Sequence, residues 1–161
     1  AQFGEKIERI DCGVVSFDAP ALYAPAAAAD KAVLLRVQSR IDSGNFIELK
    51  HFSDSPSVEA CAKVQRRYHG TYQRFVEVTP VHQFDFGKDK DIHGLVTEFV
   101  YERLGIVYRE RHAYWGEGNS IWKLKVCTQE TKESKHEQVC DTVFNTAQYL
   151  PGAKFVRPVI K

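Results

Sequence analysis

The chain has 161 residues, with 22 Lys and Arg against 21 Asp and Glu and a formal charge of +1. That length fits one domain over residues 1–161, and the balanced charge argues against a nucleic-acid partner, which selects a basic excess or a clustered basic face. Hydrophobic residues make up 43% and charged residues 27%, ordinary for a globular chain, and no apolar run approaches the roughly 20 residues of an integral membrane helix.

The sequence contains no methionine and begins Ala1-Gln2. A chain looks like this after a signal peptidase has cut behind a small residue, although any other trimming would leave the same start. The expectation is a periplasmic or secreted protein that has lost its signal peptide. The absence of an Asn-x-Ser/Thr sequon leaves a bacterial envelope open beside a eukaryotic secretory route. Four cysteines, Cys12, Cys61, Cys127 and Cys140, point the same way, since an even count in an exported chain suggests bridges. They contain no CxxC spacing, which argues against a zinc or redox motif. Of the three connectivities, the expected one joins Cys127 to Cys140 and Cys12 to Cys61; the alternative is four buried thiols.

In chain order, residues 1–11 carry Phe3, Ile7 and Ile10 in a polar lead-in. Cys12 to Phe17 reads as a strand stopped by Pro20, because proline cannot donate to a ladder. Ala21 to Asp30 is rich in alanine and broken by Pro25, a surface loop. Lys31 to Arg40 and Phe46 to Phe52 form a hairpin across the turn residues Asp42 to Asn45. Ser55 or Ser57 caps a helix with Pro56 in its first turn, and the apolar spacing of Val58, Cys61, Val64 and Tyr68 carries that helix to Gly70. Thr71 to Phe86 is extended, and Pro80 within it marks an edge or a bulge.

Gly94 to Leu150 is the organising stretch. It opens with three antiparallel strands turned at Leu104-Gly105 and at Gly116 to Asn119. Trp122, Leu124 and Val126 alternate there with Lys123 and Lys125, as on a half-buried strand. An amphipathic helix over 131–150 follows, with Val139, Val143, Phe144, Ala147 and Leu150 on one stripe and Glu133 and Glu137 on the polar side. The tail from Pro151 docks as an extended arm. The fold class is therefore α+β: an antiparallel β-sheet with helices packed on it.

This element order resembles the PsbP-like fold, shared by photosystem PsbP subunits and bacterial envelope proteins of the DcrB type. The residues that carry the likeness are VVSFDAP near the start, SDSPSVEACAKV at the first helix, and the block from Leu95 to Leu150. The resemblance implies a protein that acts through a partner rather than by catalysis, since such members serve as accessory or partner-stabilising proteins, and some bacterial relatives as chaperones or immunity proteins in toxin systems. The expectation is an exported, non-enzymatic binding protein whose partner is a toxin or an envelope component. The alternative is a small enzyme or ligand carrier with a pocket between sheet and helices.

Motifs for catalysis are missing. No Gly-x-Ser-x-Gly elbow or Walker loop occurs. None of the six histidines has a His-x3-His partner, and each reads as a surface residue. No cofactor and no metal is expected. Two places stand out as binding candidates. One is the strand with Arg109, Arg111, His112, Tyr114 and Trp115, rich in the residue types that dominate interface hot spots. The other is the turn with Asp89, Asp91 and His93, following Asp85, which lacks the glycine and closing glutamate of a calcium loop.

Overall fold

The meander forms the centre of a seven-stranded antiparallel sheet in the computed structural model, which describes residues 6–28, 30–131 and 135–158. Its elements are β1 (Ile7–Asp11), β2 (Val15–Pro20), β3 (Tyr23–Pro25), β4 (Val33–Ser39), β5 (Phe46–Phe52), α1 (Val58–His69), β6 (Val76–Phe86), β7 (Ile92–Arg103), β8 (Ile106–Glu117), β9 (Ser120–Gln129), α2 (His136–Phe144) and β10 (Gln148–Tyr149). The large sheet has the order β3-β4-β5-β9-β8-β7-β6, and a second sheet has the order β1-β2-β10. The α+β class holds.

Alternation along the strands decides which face is covered by what. Leu35 and Val37 of β4, Ile47 and Leu49 of β5, and Leu124 and Val126 of β9 point to one side. There they form a single core with Val15 and Phe17 of β2 and Val139, Val143 and Phe144 of α2. The small sheet and α2 thus cover that face together. The opposite face meets α1 through a smaller cluster of Cys61, Ala62, Leu95, Tyr114 and Ile121.

Local chemistry sets the boundaries. Ser57 accepts the Ala60 backbone N–H at 3.1 Å and is the cap of α1. The β7–β8 turn has positive φ at both Leu104 and Gly105, the type I′ geometry whose twist suits a tight hairpin. At the end of β8, Gly116 has φ +143, and a side chain there would meet the Ser120 carbonyl at 2.1 Å.

Three expectations need correction. The last helix is shorter than its apolar stripe suggested: α2 ends at Phe144, Thr146 turns its hydroxyl back onto the Thr142 carbonyl and accepts the Asp18 N–H, and Gln148–Tyr149 pairs with Ser16 and Val15. Ala147 is still buried, but Leu150 is exposed, and Glu133 and Phe3 lie outside the described residues. The alanine-rich loop contains β3, whereas the short lead-in element expected near the start is present as β1, paired with β2. The disulfides are absent: all four cysteines are free and buried. The sheet itself keeps the expected pairs apart, since Cys127 lies opposite Glu110 on the α1 side while Cys140 packs in the core on the α2 side. Cys61 of α1 and Cys12 of the small-sheet core are separated in the same way.

Candidate functional site

The half-buried pattern of β9 conceals the main polar feature. Lys123 and Lys125 face α1 rather than solvent, and Lys123 is 3% exposed. Helix α1 crosses this part of the sheet with Gln65 and His69 on its inner side, while Arg36 of β4 and Glu48 and Lys50 of β5 continue the same face. Between them lies a chamber of about 280 Å³, whose lining also includes Asp30, Tyr68 and Tyr72.

Behind the chamber the ionisable groups are tightly paired. Tyr101 donates its hydroxyl to Glu110, and His112 Nε2 lies 2.7 Å from the same carboxylate. A carboxylate only accepts, so Nε2 carries the proton and Nδ1 is left to accept from the Tyr114 hydroxyl at 3.3 Å. Lys125 Nζ lies 3.5 Å from Glu110 and 3.6 Å from Glu48, and Arg36 reaches Glu48 at 2.8 Å. Burial alone would raise the Glu110 pKa, but Lys125 and the His112 hydrogen bond outweigh it and hold the carboxyl well below its ordinary value. Burial, reinforced by Lys123, keeps His112 neutral with a pKa well below 6.5. His69 stacks on Phe99 at 4.9 Å, and burial followed by the charge of Lys123 lowers its pKa to about 3.

Lys123 is the exception to this pairing. Its Nζ makes one hydrogen bond, to Gln65 Oε1 at 3.0 Å, and stands 5.5 Å from the centre of the Tyr114 ring. No carboxylate within 4.0 Å neutralises it among the described residues. Burial, and secondarily the charge of Lys125, depresses its pKa well below the ordinary lysine value.

A second cluster lies on the other face, under α2. Glu98 accepts from Arg111 Nε at 2.6 Å and from Arg109 Nη1 at 2.9 Å, and the two arginines continue to Glu137 and Glu130. His136 Nε2 is 3.2 Å from Glu98 and 3.4 Å from Cys140 Sγ, while its Nδ1 meets the Thr128 hydroxyl at 2.8 Å. Glu98, His136 and Cys140 converge closely enough to ligate a metal. A cation there would have to share the Glu98 oxygen already held by Arg111, so these residues form an internal ion-pair lock. The Cys140 thiol is no nucleophile either, because burial drives its pKa far up despite the nearby Arg111.

The sequence-predicted candidates are therefore dispersed. Arg109 and Arg111 belong to the lock, while His112, Tyr114 and Trp115 are buried on the two faces of β8 and cannot meet a partner. Asp89 and Asp91 are exposed on the β6–β7 turn, while His93, expected on that turn, is exposed at the start of β7 and pairs with Asp85 of β6 at 2.8 Å. Three histidines expected at the surface, His69, His112 and His136, are buried. The His136-x3-Cys140 spacing signalled one helical face; nothing local signalled that α1 would bury Lys123.

The outer edge of the sheet is the remaining feature. Among the described residues β6 pairs only with β7, through a register that shifts around Thr79 and His82, so Pro80 does mark a bulged edge. Val76, Val78 and Phe84 are 59%, 44% and 39% exposed along it.

No family model matches the chain, and no curated protein is similar to it in sequence. Solved structures are similar to it. Cyanobacterial PsbP (CyanoP) from Synechocystis superposes with a TM-score of 0.67 at 10% identity, over 91% of this chain and 94% of that one. This chain has the PsbP-like fold. LpqN of Mycobacterium tuberculosis, described as involved in cell envelope biogenesis, superposes with a TM-score of 0.54 at 8% identity, covering 91% of each chain. A protein of Bacteroides thetaiotaomicron gives 0.59 at 9% identity, with 89% of this chain covering 48% of that one, about half its length. At these identities the PsbP-like fold is what is shared. No helix among the described residues is long and apolar enough to cross a membrane.

Proposed function

We propose that this protein is an extracytoplasmic, non-enzymatic binding protein that acts by docking a protein partner along its β6 edge. The observation that carries the reading is that edge: eleven residues long, unpaired on its outer side among the described residues, and bearing the exposed apolar residues Val76, Val78 and Phe84. An open edge offers backbone hydrogen bonds to a partner strand, and side chains beside it supply specificity. Its bulged centre limits pairing between copies of the same chain. The β6–β7 turn with Asp89 and Asp91, beside His93 at the start of β7, sits at one end of the edge, and the β7–β8 turn with exposed Leu104, beside Ile106 and Val107 at the start of β8, at the other. LpqN's description as involved in cell envelope biogenesis supports an envelope location; the accessory-subunit or toxin-neutralising role is part of this proposal and follows from the resemblance to PsbP-like proteins.

Affinity capture from the native envelope should retain one species in near-equal amount. The double variant Val78→Lys, Phe84→Lys should lose it while unfolding at the wild-type midpoint. Retention of the same species by that variant would refute the edge as the contact. A second reading, a small-ligand carrier, is favoured by one observation: the chamber under α1 with its unneutralised Lys123.

A further inference from the structure

We propose that the chamber beneath α1 is a binding site for a small molecule bearing an oxyanion, a carboxylate or a phosphate, whose charged end is received by Lys123. This inference rests on the small-ligand reading and adds the chemistry of the ligand.

Three observations lead to it. First, the walls carry four cationic side chains, Arg36, Lys50, Lys123 and Lys125, against the carboxylates of Asp30 and Glu48. Three of the four cations are already engaged: Arg36 with Glu48 at 2.8 Å, Lys50 with Asp30 at 2.6 Å, and Lys125 with Glu48 and Glu110. Second, Lys123 is 3% exposed, lines the chamber, and makes one hydrogen bond, to an amide oxygen. Burial on its own disfavours the charged form of Lys123; as an ammonium it would have three donors, two of them without an acceptor among the described residues. A buried charge is tolerated when it is paired, and the missing counter-charge is what an oxyanion would bring.

Third, the opposing wall is aromatic, with Tyr68, His69 and Tyr72. Pockets that fix a ligand by one polar end pack its body against such surfaces. The volume, about 280 Å³, lies just below the roughly 300–1,000 Å³ typical of ligand pockets, which suits a compact molecule and excludes a folded peptide.

The test uses inorganic phosphate, benzoate and benzyl alcohol as probes, titrated into the whole protein with the Gln65 side-chain amide and the Tyr72 backbone amide followed by NMR. Benzoate or phosphate should bind at the chamber, and benzyl alcohol, which shares the ring but not the charge, should bind at least tenfold more weakly than benzoate. Comparing benzoate with phosphate distinguishes a carboxylate from a phosphate as the natural group. Lys123→Met should weaken oxyanion binding at least tenfold. Gln65→Glu should do the same by a different route, because it places a carboxylate beside the amine and satisfies it within the chain. This second variant keeps the lysine and does not depend on the fold tolerating its removal. Oxyanion binding that survives in Gln65→Glu, or that leaves the chamber amides unshifted, overturns the proposal. If benzyl alcohol binds there as well as benzoate, the chamber is a ligand pocket but the oxyanion assignment fails. If no probe binds, both fail.

Discussion

Replacing Glu98 by glutamine measures what the ion-pair lock under α2 contributes. The Glu98 side chain is 5% exposed and holds Arg111, Arg109 and His136 at 2.6, 2.9 and 3.2 Å. Burial alone would raise its pKa, but the His136 hydrogen bond and the Arg111 charge outweigh burial and bring it from 4.5 to about 2. At about 1.4 kcal/mol for each tenfold change in proton affinity, this corresponds to roughly 3 kcal/mol of folding free energy near neutral pH. The folded pKa lies below the unfolded one, so the contribution is fully present above the unfolded value and is lost as the pH falls from there toward 2. Glu98→Gln should lower the free energy of unfolding at about pH 7 by roughly 3 kcal/mol, in the range of a broken buried pair. It should also flatten the acid limb of the stability profile. Urea unfolding followed by the fluorescence of Trp115 and Trp122, at neutral pH and at about pH 3, measures both effects. A variant with the wild-type midpoint at neutral pH, or with an equally steep acid limb, would refute the reasoning.

Three further outcomes are expected. The thiols are buried, and burial, with Asp11 adding to it, pushes Cys12 up to about 12. Iodoacetamide should therefore leave the native protein unmodified yet label all four cysteines once it is unfolded without reductant; fewer than four labels would restore a disulfide. His69 has its pKa lowered from 6.5 to about 3 by burial and then by Lys123, so stability is whole above about 6.5 and is lost as the pH falls toward 3. His69→Phe should remove roughly 2 kcal/mol of the stability difference between about pH 7 and about pH 5, and an unchanged difference in urea unfolding would contradict this. Leu104 is 90% exposed and adopts φ +52, a conformation costing roughly 1–2 kcal/mol for most residues. Leu104→Asn should raise the unfolding free energy by about 1 kcal/mol, and a lower melting temperature would count against the strain.

The architecture was legible where alternation and turn chemistry agreed. Trp122, Leu124 and Val126 marked the inner face of β9, Ser57 and Gly70 bounded α1, and Pro80 marked the bulged edge. The end of α2 was not legible, because Ala147 keeps its place in the core from an extended segment as well as it would from a helix. The cysteine pairing failed for a reason outside the one-dimensional pattern: the sheet stands between the expected partners. Three of the binding candidates, His112, Tyr114 and Trp115, are buried for a similar reason. Alternation separated Arg109 and Arg111 from Glu110 and His112 correctly, but it could not show that both faces of β8 are covered. Lys123 looked like the solvated half of a strand, and only the path of α1 across the sheet makes it a buried amine.

The central claim is that the β6 edge meets a protein partner. A photo-crosslinking amino acid placed in turn at Val78, at Phe84 and at Ile41, an 81% exposed residue in the β4–β5 turn, tests it in the native host. The account predicts one discrete adduct of the same mass from Val78 and Phe84 and none from Ile41. No adduct from β6, or the same adducts from Ile41, would contradict it.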